Sequence, residues 1–219
     1  MGLVFKATNE NLDAIVAGLD LEPTDDVLAI CGSGDQAFAI LEYAHSVLAV
    51  DNQPGQVRFA KERKNALFDG DYKHFLFPQG IVHGDYYVNK RNKYFRKPER
   101  LDLIKSKIRR AKFSVKDITK VPNLGRFSKF YFSNAIGYTG FQDPETRFIR
   151  RLVVETPVGS LIYCSDDRDA RYILQCRPPK HVWELSEAQE LTRLACQITN
   201  SNGGGWKPIV FRKIRKGGK

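Results

Sequence analysis

The stretch Val27-Leu28-Ala29-Ile30-Cys31-Gly32-Ser33-Gly34-Asp35 decides how this chain folds. Its unbroken apolar run reads as a strand buried on both faces, and the two glycines around Ser33 read as a tight turn. Beyond the turn, Ala37, Phe38, Ile40, Leu41 and Ala44 recur at helical spacing, and Ser46-Val47-Leu48-Ala49-Val50 forms a second apolar run that ends on Asp51. Strand, glycine turn, helix and strand make a parallel crossover unit. It predicts an α/β fold with an open, mostly parallel, doubly wound sheet.

On the amino-terminal side, apolar residues at 12, 15, 16 and 19 mark a helix that Asn9 or Asn11 caps, and Leu21-Glu22-Pro23-Thr24-Asp25-Asp26 breaks it. Another helix is expected over about residues 55–68. Residues 69–100 are rich in aromatics, Gly and Pro with no clear period. A stretch of that length between helix and strand points to a functional cap. Helical spacing resumes from Leu101 to about Arg110. Strands are then expected at Lys112–Val115, leading to Asp117; at Lys129–Phe132, leading to Ser133-Asn134; and at Gly159–Cys164, leading to Ser165-Asp166-Asp167. Asp143–Val153 and Ser186–Gln197 read as helices on either side of the break at Pro178-Pro179, and Pro208–Phe211 as a terminal strand. The expected organisation is one domain over 1–219, with 69–110 as a basic inserted substrate cap.

Of 219 residues, 42% are apolar, which suffices for a full core, and no run approaches the roughly 18 apolar residues of a membrane span. The start MGLVFKATNE lacks the apolar run of a signal peptide. The expectation is a cytoplasmic protein, with peripheral contact at a membrane surface left open. Cys31, Cys164, Cys176 and Cys196 are far apart and show no Cys-x-x-Cys spacing, so they read as small apolar residues rather than as a disulfide framework or zinc site. His45, His74, His83 and His181 share no spacing that suggests a metal or catalytic role.

The formal charge of +10 is local. Residues 1–87 carry 6 basic and 13 acidic side chains, and residues 88–130 carry 15 and 3. Residues 206–219 add 6 basic side chains and no acid. This points to an anionic acceptor, whether a lipid, a small molecule or a nucleic acid, docked at the segment 88–130. There, Lys90, Arg91, Lys93, Arg96, Lys97 and Arg100 are interleaved with Tyr94 and Phe95, as a phosphate-and-stacking surface requires. An anionic membrane surface fits the same charges.

Ligands of open α/β sheets bind beyond the carboxyl ends of the strands, so the residues after each apolar run are the candidates. Gly32, Ser33 and Gly34 let backbone N–H groups approach a ligand at the start of the next helix. Asp51, with Asn52 after it, is placed to accept both hydroxyls of a ribose. An adenosine-bearing ligand is therefore expected. A pyrophosphate would require a third glycine where Ala37 stands, and the anion Asp35 at the helix start would repel it. The same anion suits the ammonium and sulfonium of S-adenosylmethionine. Asp117 can accept from an adenine amino group, and Ser133 and Asn134 follow the fourth strand, where transfer chemistry takes place in enzymes that use this cofactor.

This order of strands and polar ends resembles the class I S-adenosylmethionine-dependent methyltransferases. The wording Glu22-Pro23, Cys31-Gly32-Ser33-Gly34-Asp35-Gln36, Asp51-Asn52-Gln53-Pro54-Gly55-Gln56 and Phe132-Ser133-Asn134-Ala135-Ile136-Gly137-Tyr138 is closer to a narrower group. It resembles the S-adenosylmethionine:diacylglycerol aminocarboxypropyl transferases of betaine-lipid synthesis. The resemblance implies a Rossmann-like methyltransferase fold and S-adenosylmethionine as cofactor, with a methyl or an aminocarboxypropyl group as cargo. The acid usual two residues before the first glycine is Ile30 here, which passes the ammonium contact to Asp35. Asp85, Asp166, Tyr86 and Tyr138 are candidates to take a proton from the acceptor. A binding module that kept the cofactor fold without transfer is the non-enzymatic alternative.

Overall fold

A computed structural model of the chain describes residues 5–79, 81, 84–135, 143–167, 170, 171, 173, 185–201 and 205–214. The deciding stretch folds as read. Strand β1 (Asp26–Ile30) leads through the glycine turn into α2 (Asp35–Tyr43) and then β2 (Ser46–Asp51), which pairs with β1 in parallel from Asp26↔Ser46 to Ile30↔Val50. Helix α1 (Leu12–Leu19) precedes them, and Asn11 caps it by accepting from the Ala14 N–H. Helices α3 (Pro54–Asp69), α4 (Tyr72–Leu76), α5 (Tyr86–Phe95) and α6 (Arg100–Lys107) follow. The chain continues through β3 (Ala111–Val115), β4 (Lys129–Ser133), α7 (Asp143–Glu155), β5 (Leu161–Cys164), β6 (Leu185–Glu187), α8 (Gln189–Ser201) and β7 (Ile209–Lys213).

The seven strands form one sheet in the order β3-β2-β1-β4-β5-β7-β6, in which β7 runs antiparallel to both its neighbours. The alternation along each strand divides the core in two. Val27, Ala29, Val47, Ala49 and Tyr131 face the side covered by α1, α2, α3 and α8. Leu28, Val50, Phe130, Phe132 and Ile162 face the side where α7 supplies Phe148, Ile149 and Leu152. Burial on both faces is why the central strands read as unbroken apolar runs.

Helix α4 lies in the stretch 69–100 that shows no period, and two further elements differ from the sequence expectation. Strand β6 occupies the start of the stretch read as helix 186–197, because only Leu185 of its three residues is buried and no alternation is visible in so short a segment. Helix α5 lies in the stretch that shows no period, because its inward face includes Arg91 and Asn92 beside Val88 and Phe95. Asp85 is the N-cap of α5 and accepts from the Tyr87 and Val88 N–H groups.

The glycine turn is sterically exacting. Gly34 sits at φ +84°, and a Cβ there would lie 3.0 Å from the Ala60 Cβ and 3.1 Å from the Phe38 ring. Gly34→Ala is expected to cost about 1–3 kcal/mol, from the left-handed backbone and from pushing α3 away. Urea denaturation checks this, and an unchanged midpoint would mean that the turn relaxes freely.

Candidate functional site

A cavity of about 490 Å3 opens at the carboxyl ends of β1 to β4. The sequence-predicted residues Gly32, Ser33, Asp51, Asn52, Asp117, Ser133 and Asn134 all line it. Asp51 ties two strand ends together: its Oδ2 accepts the Gly32 N–H at 3.0 Å and its Oδ1 the Gln53 N–H at 2.9 Å. Each oxygen keeps a lone pair for the cavity. Burial holds the Asp51 pKa above its ordinary value, although both backbone hydrogen bonds pull it down. Asp117 caps its own 3-10 turn, its Oδ1 accepting from the Thr119 N–H and hydroxyl at 2.9 and 2.8 Å.

The other wall is an amino-terminal strap, of which Phe5, Thr8 and Glu10 line the cavity. Gln56 Nε2 donates to the carbonyls of Phe5 at 2.9 Å and Gly32 at 2.8 Å, while Gln56 Oε1 accepts the Phe5 N–H. Gln36 Nε2 donates to Thr8 Oγ1 at 2.8 Å, and Asp35 Oδ2 accepts the Thr8 N–H at 2.9 Å. The polar words of the glycine-turn and post-β2 motifs thus pin the strap to the turn. Gln36 also keeps its Oε1 buried and without a protein partner at the cavity wall.

Asp35 does not face the cavity. Its side chain is 0% exposed, bonded to Arg63 at 2.6 Å and lying 3.7 Å from Arg91, both equally buried. Burial raises its pKa, but Arg63, Arg91 and hydrogen bonds from Ser33 and Thr8 outweigh burial and hold the carboxyl below its ordinary value. With its charge met by two guanidiniums, Asp35 neither contacts a ligand in the cavity nor repels an anion there. The ammonium contact expected of it is corrected to a structural role. Gly34 likewise shapes the turn without lining the cavity.

Glu10, which sequence reasoning missed, is the centre of the site's acidic end. It accepts hydrogen bonds from Tyr131 Oη at 2.7 Å, from Ser133 Oγ at 2.6 Å and from Ser165 Oγ. Burial raises its pKa above the ordinary value against these three bonds, and the nearby Asp166 adds to the rise. Ser133 sits at φ +57°, a strained conformation for a residue with a side chain, and such strain gathers at functional positions. In sequence, Glu10 is only a polar residue before a helix. Its partners lie 121 to 155 positions away, so no local spacing could reveal it.

Among the other candidates, Asp85 is bound into its helix cap and Tyr86 is exposed on α5, and neither lines the cavity. Asp166 is buried beside Glu10. Tyr138, His83, His181 and Cys176 lie outside the described residues. No described residue of 69–110 lines the cavity. That segment packs instead against α1, α2 and α3. Several cations of 88–130 are structural: Arg91 lies beside Asp35, Arg100 pairs with Glu42 at 2.9 Å, Lys107 bonds the Glu42 carbonyl at the end of α2, and Lys129 pairs with Asp25. Among the described residues, the ionisable side chains that line the cavity are Glu10, Asp51 and Asp117 against Lys116. The cavity is therefore acidic, and Lys116 is the one cation of 88–130 that lines it.

No protein-family model and no curated protein sequence matches the chain. Solved structures do match it in three dimensions. TrmN from Thermus thermophilus has a TM-score of 0.54 at 16% identity, covering 93% of this chain and 48% of its own. The N-methyltransferase NodS from Bradyrhizobium japonicum, in complex with S-adenosyl-L-homocysteine, gives 0.52 at 10%, covering 93% and 85%. An rRNA methylase from Streptococcus thermophilus gives 0.51 at 11%, covering 93% and 94%. The fold is the Rossmann-like methyltransferase fold. At these identities the likeness is one of fold, and the chemistry has to be read from the cavity.

Proposed function

We propose that the chain is an S-adenosylmethionine-dependent transferase that moves a methyl group, or alternatively an aminocarboxypropyl group, to an acceptor presented at Ser133 and Asn134. The observation that carries this reading is the acidic cavity at the carboxyl ends of β1, β2 and β4, with Asp51 at its wall anchored by the Gly32 and Gln53 N–H groups. Its volume of about 490 Å3 falls among small-molecule and cofactor sites. The residues fit the cofactor: Asp51 has lone pairs for two ribose hydroxyls, the segment Asp117–Thr119 borders the adenine end, and the unpartnered Gln36 Oε1 can accept from an ammonium. When bound, S-adenosylmethionine supplies an electrophilic carbon next to a sulfonium.

The chain's own residues contribute orientation and a place for a proton. Orientation alone is worth about 7–11 kcal/mol of such a barrier. Ser133 Oγ donates to Glu10 Oε1, so an acceptor that loses a proton at Ser133 has a carboxylate one hydroxyl away. The raised pKa of Glu10 brings that carboxylate nearer to the basicity a general base needs. NodS and the rRNA methylase are named for different acceptors on one fold, so the fold leaves the acceptor open.

By-product analysis tests the reading. Calorimetry is expected to show binding of S-adenosylmethionine, and turnover with a cell extract is expected to yield S-adenosylhomocysteine. Methylthioadenosine would instead mark aminocarboxypropyl transfer. No binding heat and neither product would sink both forms of the proposal.

A further inference from the structure

A second concavity, of about 370 Å3, lies at the amino ends of β1, β2 and β3, on the sheet edge opposite the cofactor cavity. Strands of five or six residues separate the two by roughly 17 Å, at about 3.3 Å per residue. Arg109, Arg110, Lys112 and Arg126 line it together with His45, and its one acid among the described residues, Asp26, already accepts the Ser46 hydroxyl. None of these four cations forms an ion pair among the described residues. Their field reaches neighbouring groups: Lys64 is held below its ordinary pKa first by burial and then by Lys61 and Lys112, and Lys107 by burial and then Arg110.

Two of the guanidiniums are held in place. Arg109 lies 5.0 Å from the centroid of the Phe68 ring and Arg126 lies 4.5 Å from that of Phe127. A guanidinium laid on a ring keeps its N–H fork free for phosphate oxygens. Arg110 shares a 3.3 Å contact with His45 Nδ1. The whole arrangement is concave and cationic, with hydrogen-bonding groups (His45, Ser46, Asp26) between the charges.

We propose that this groove binds the phosphodiester backbone of a single-stranded RNA. Four unpaired cations in a recess match a chain of phosphates, whereas a bilayer surface is met by a flat or convex face. The His45, Ser46 and Asp26 groups can bond a 2′-hydroxyl, which deoxyribose lacks. The cofactor cavity is acidic, so a polyanion is held at the opposite edge of the sheet instead. Binding at the groove does not depend on transfer at the cavity, and its failure leaves the cofactor reading untouched.

The test is fluorescence anisotropy with a short labelled single-stranded RNA of mixed sequence, over a salt series. Four neutralised phosphates give a slope of log K against log salt of about −3. The triple variant Arg109→Ala, Lys112→Ala, Arg126→Ala is expected to flatten it to about −1 and to weaken binding more than tenfold at low salt. Lys112→Glu, at an exposed edge-strand position, is a variant with no core to disturb and should weaken binding in the same direction. Lys93→Ala with Arg96→Ala, on the exposed side of α5, should leave the slope unchanged. The proposal is overturned if the groove variants bind like the parent, if the α5 variant loses binding instead, if DNA of the same sequence binds as well as RNA, or if phosphatidylserine vesicles bind and RNA does not.

Discussion

Asp35→Ala is expected to lower the stability of the chain by about 3–5 kcal/mol, the cost of leaving a buried charge without its partner. Two guanidiniums converge on this one carboxylate where none of the three side chains is exposed. Arg63 is enclosed by Phe38, Phe59 and Phe75, with centroids 5.2, 5.8 and 4.6 Å away, and also donates to the carbonyls of Ser33 and Phe75. Removing the carboxylate leaves two cations that can neither reach water nor pair, and it frees the Thr8 N–H that anchors the strap. For a chain of this size the expected fall in Tm is roughly 6–20 °C. The pH dependence carries a sign of its own. The folded pKa of Asp35 lies below its ordinary value, so its stabilisation is complete above the ordinary carboxylate range and is lost as pH falls below it. Urea denaturation from neutral to acid pH should show this part of the acid lability in the parent and not in the variant. A variant that melts with the parent would mean that the triad contributes nothing.

Asp51→Asn is expected to reduce S-adenosylmethionine affinity by about a hundredfold, since each charge-assisted hydrogen bond to a ribose hydroxyl contributes about 1.5–3 kcal/mol. Asparagine keeps one acceptor for the turn, so the tie between the Gly32 and Gln53 N–H groups is weakened but not removed. The measurement is calorimetric titration, with the melting curve of the ligand-free variant as a control on folding. Affinity within a few-fold of the parent, with the fold intact, would move the ribose elsewhere in the cavity. The Asp35 and Asp51 variants also separate two carboxylates that a glycine turn presents together in sequence: one is neutralised by buried guanidiniums, and the other lines the cavity.

The parts of the molecule governed by short-range order were legible from residues alone. Unbroken apolar runs at 27–31 and 46–50 require strands covered on both sides, and the glycines between them require a turn with left-handed backbone. From these the open parallel sheet follows, and with it the edge where a ligand can sit. Helix α5 was hidden because an arginine and an asparagine stand on its buried face, which no apolar period records. Strand β6 was hidden because only one of its three residues is buried.

Charge was decided by tertiary structure. The sequence places 15 basic residues in 88–130 and suggests one anion-binding cap, but residues adjacent in the chain are distributed to different tasks when it folds. Arg91, Arg100, Lys107 and Lys129 turn inward to carboxylates and helix ends, while Arg109, Arg110, Lys112 and Arg126 gather at the amino edge of the sheet. Glu10 and its three hydroxyl partners meet only because the strap crosses the ends of β4 and β5. Sequence alone therefore determined the central strands, the glycine turn and the side of the sheet that holds the cavity, since each follows from local burial and backbone freedom. Which carboxylate faces the cavity and which is neutralised in the core, and where the free cations collect, is settled by contacts between distant segments, because an ionisable group takes its role from its neighbours in space.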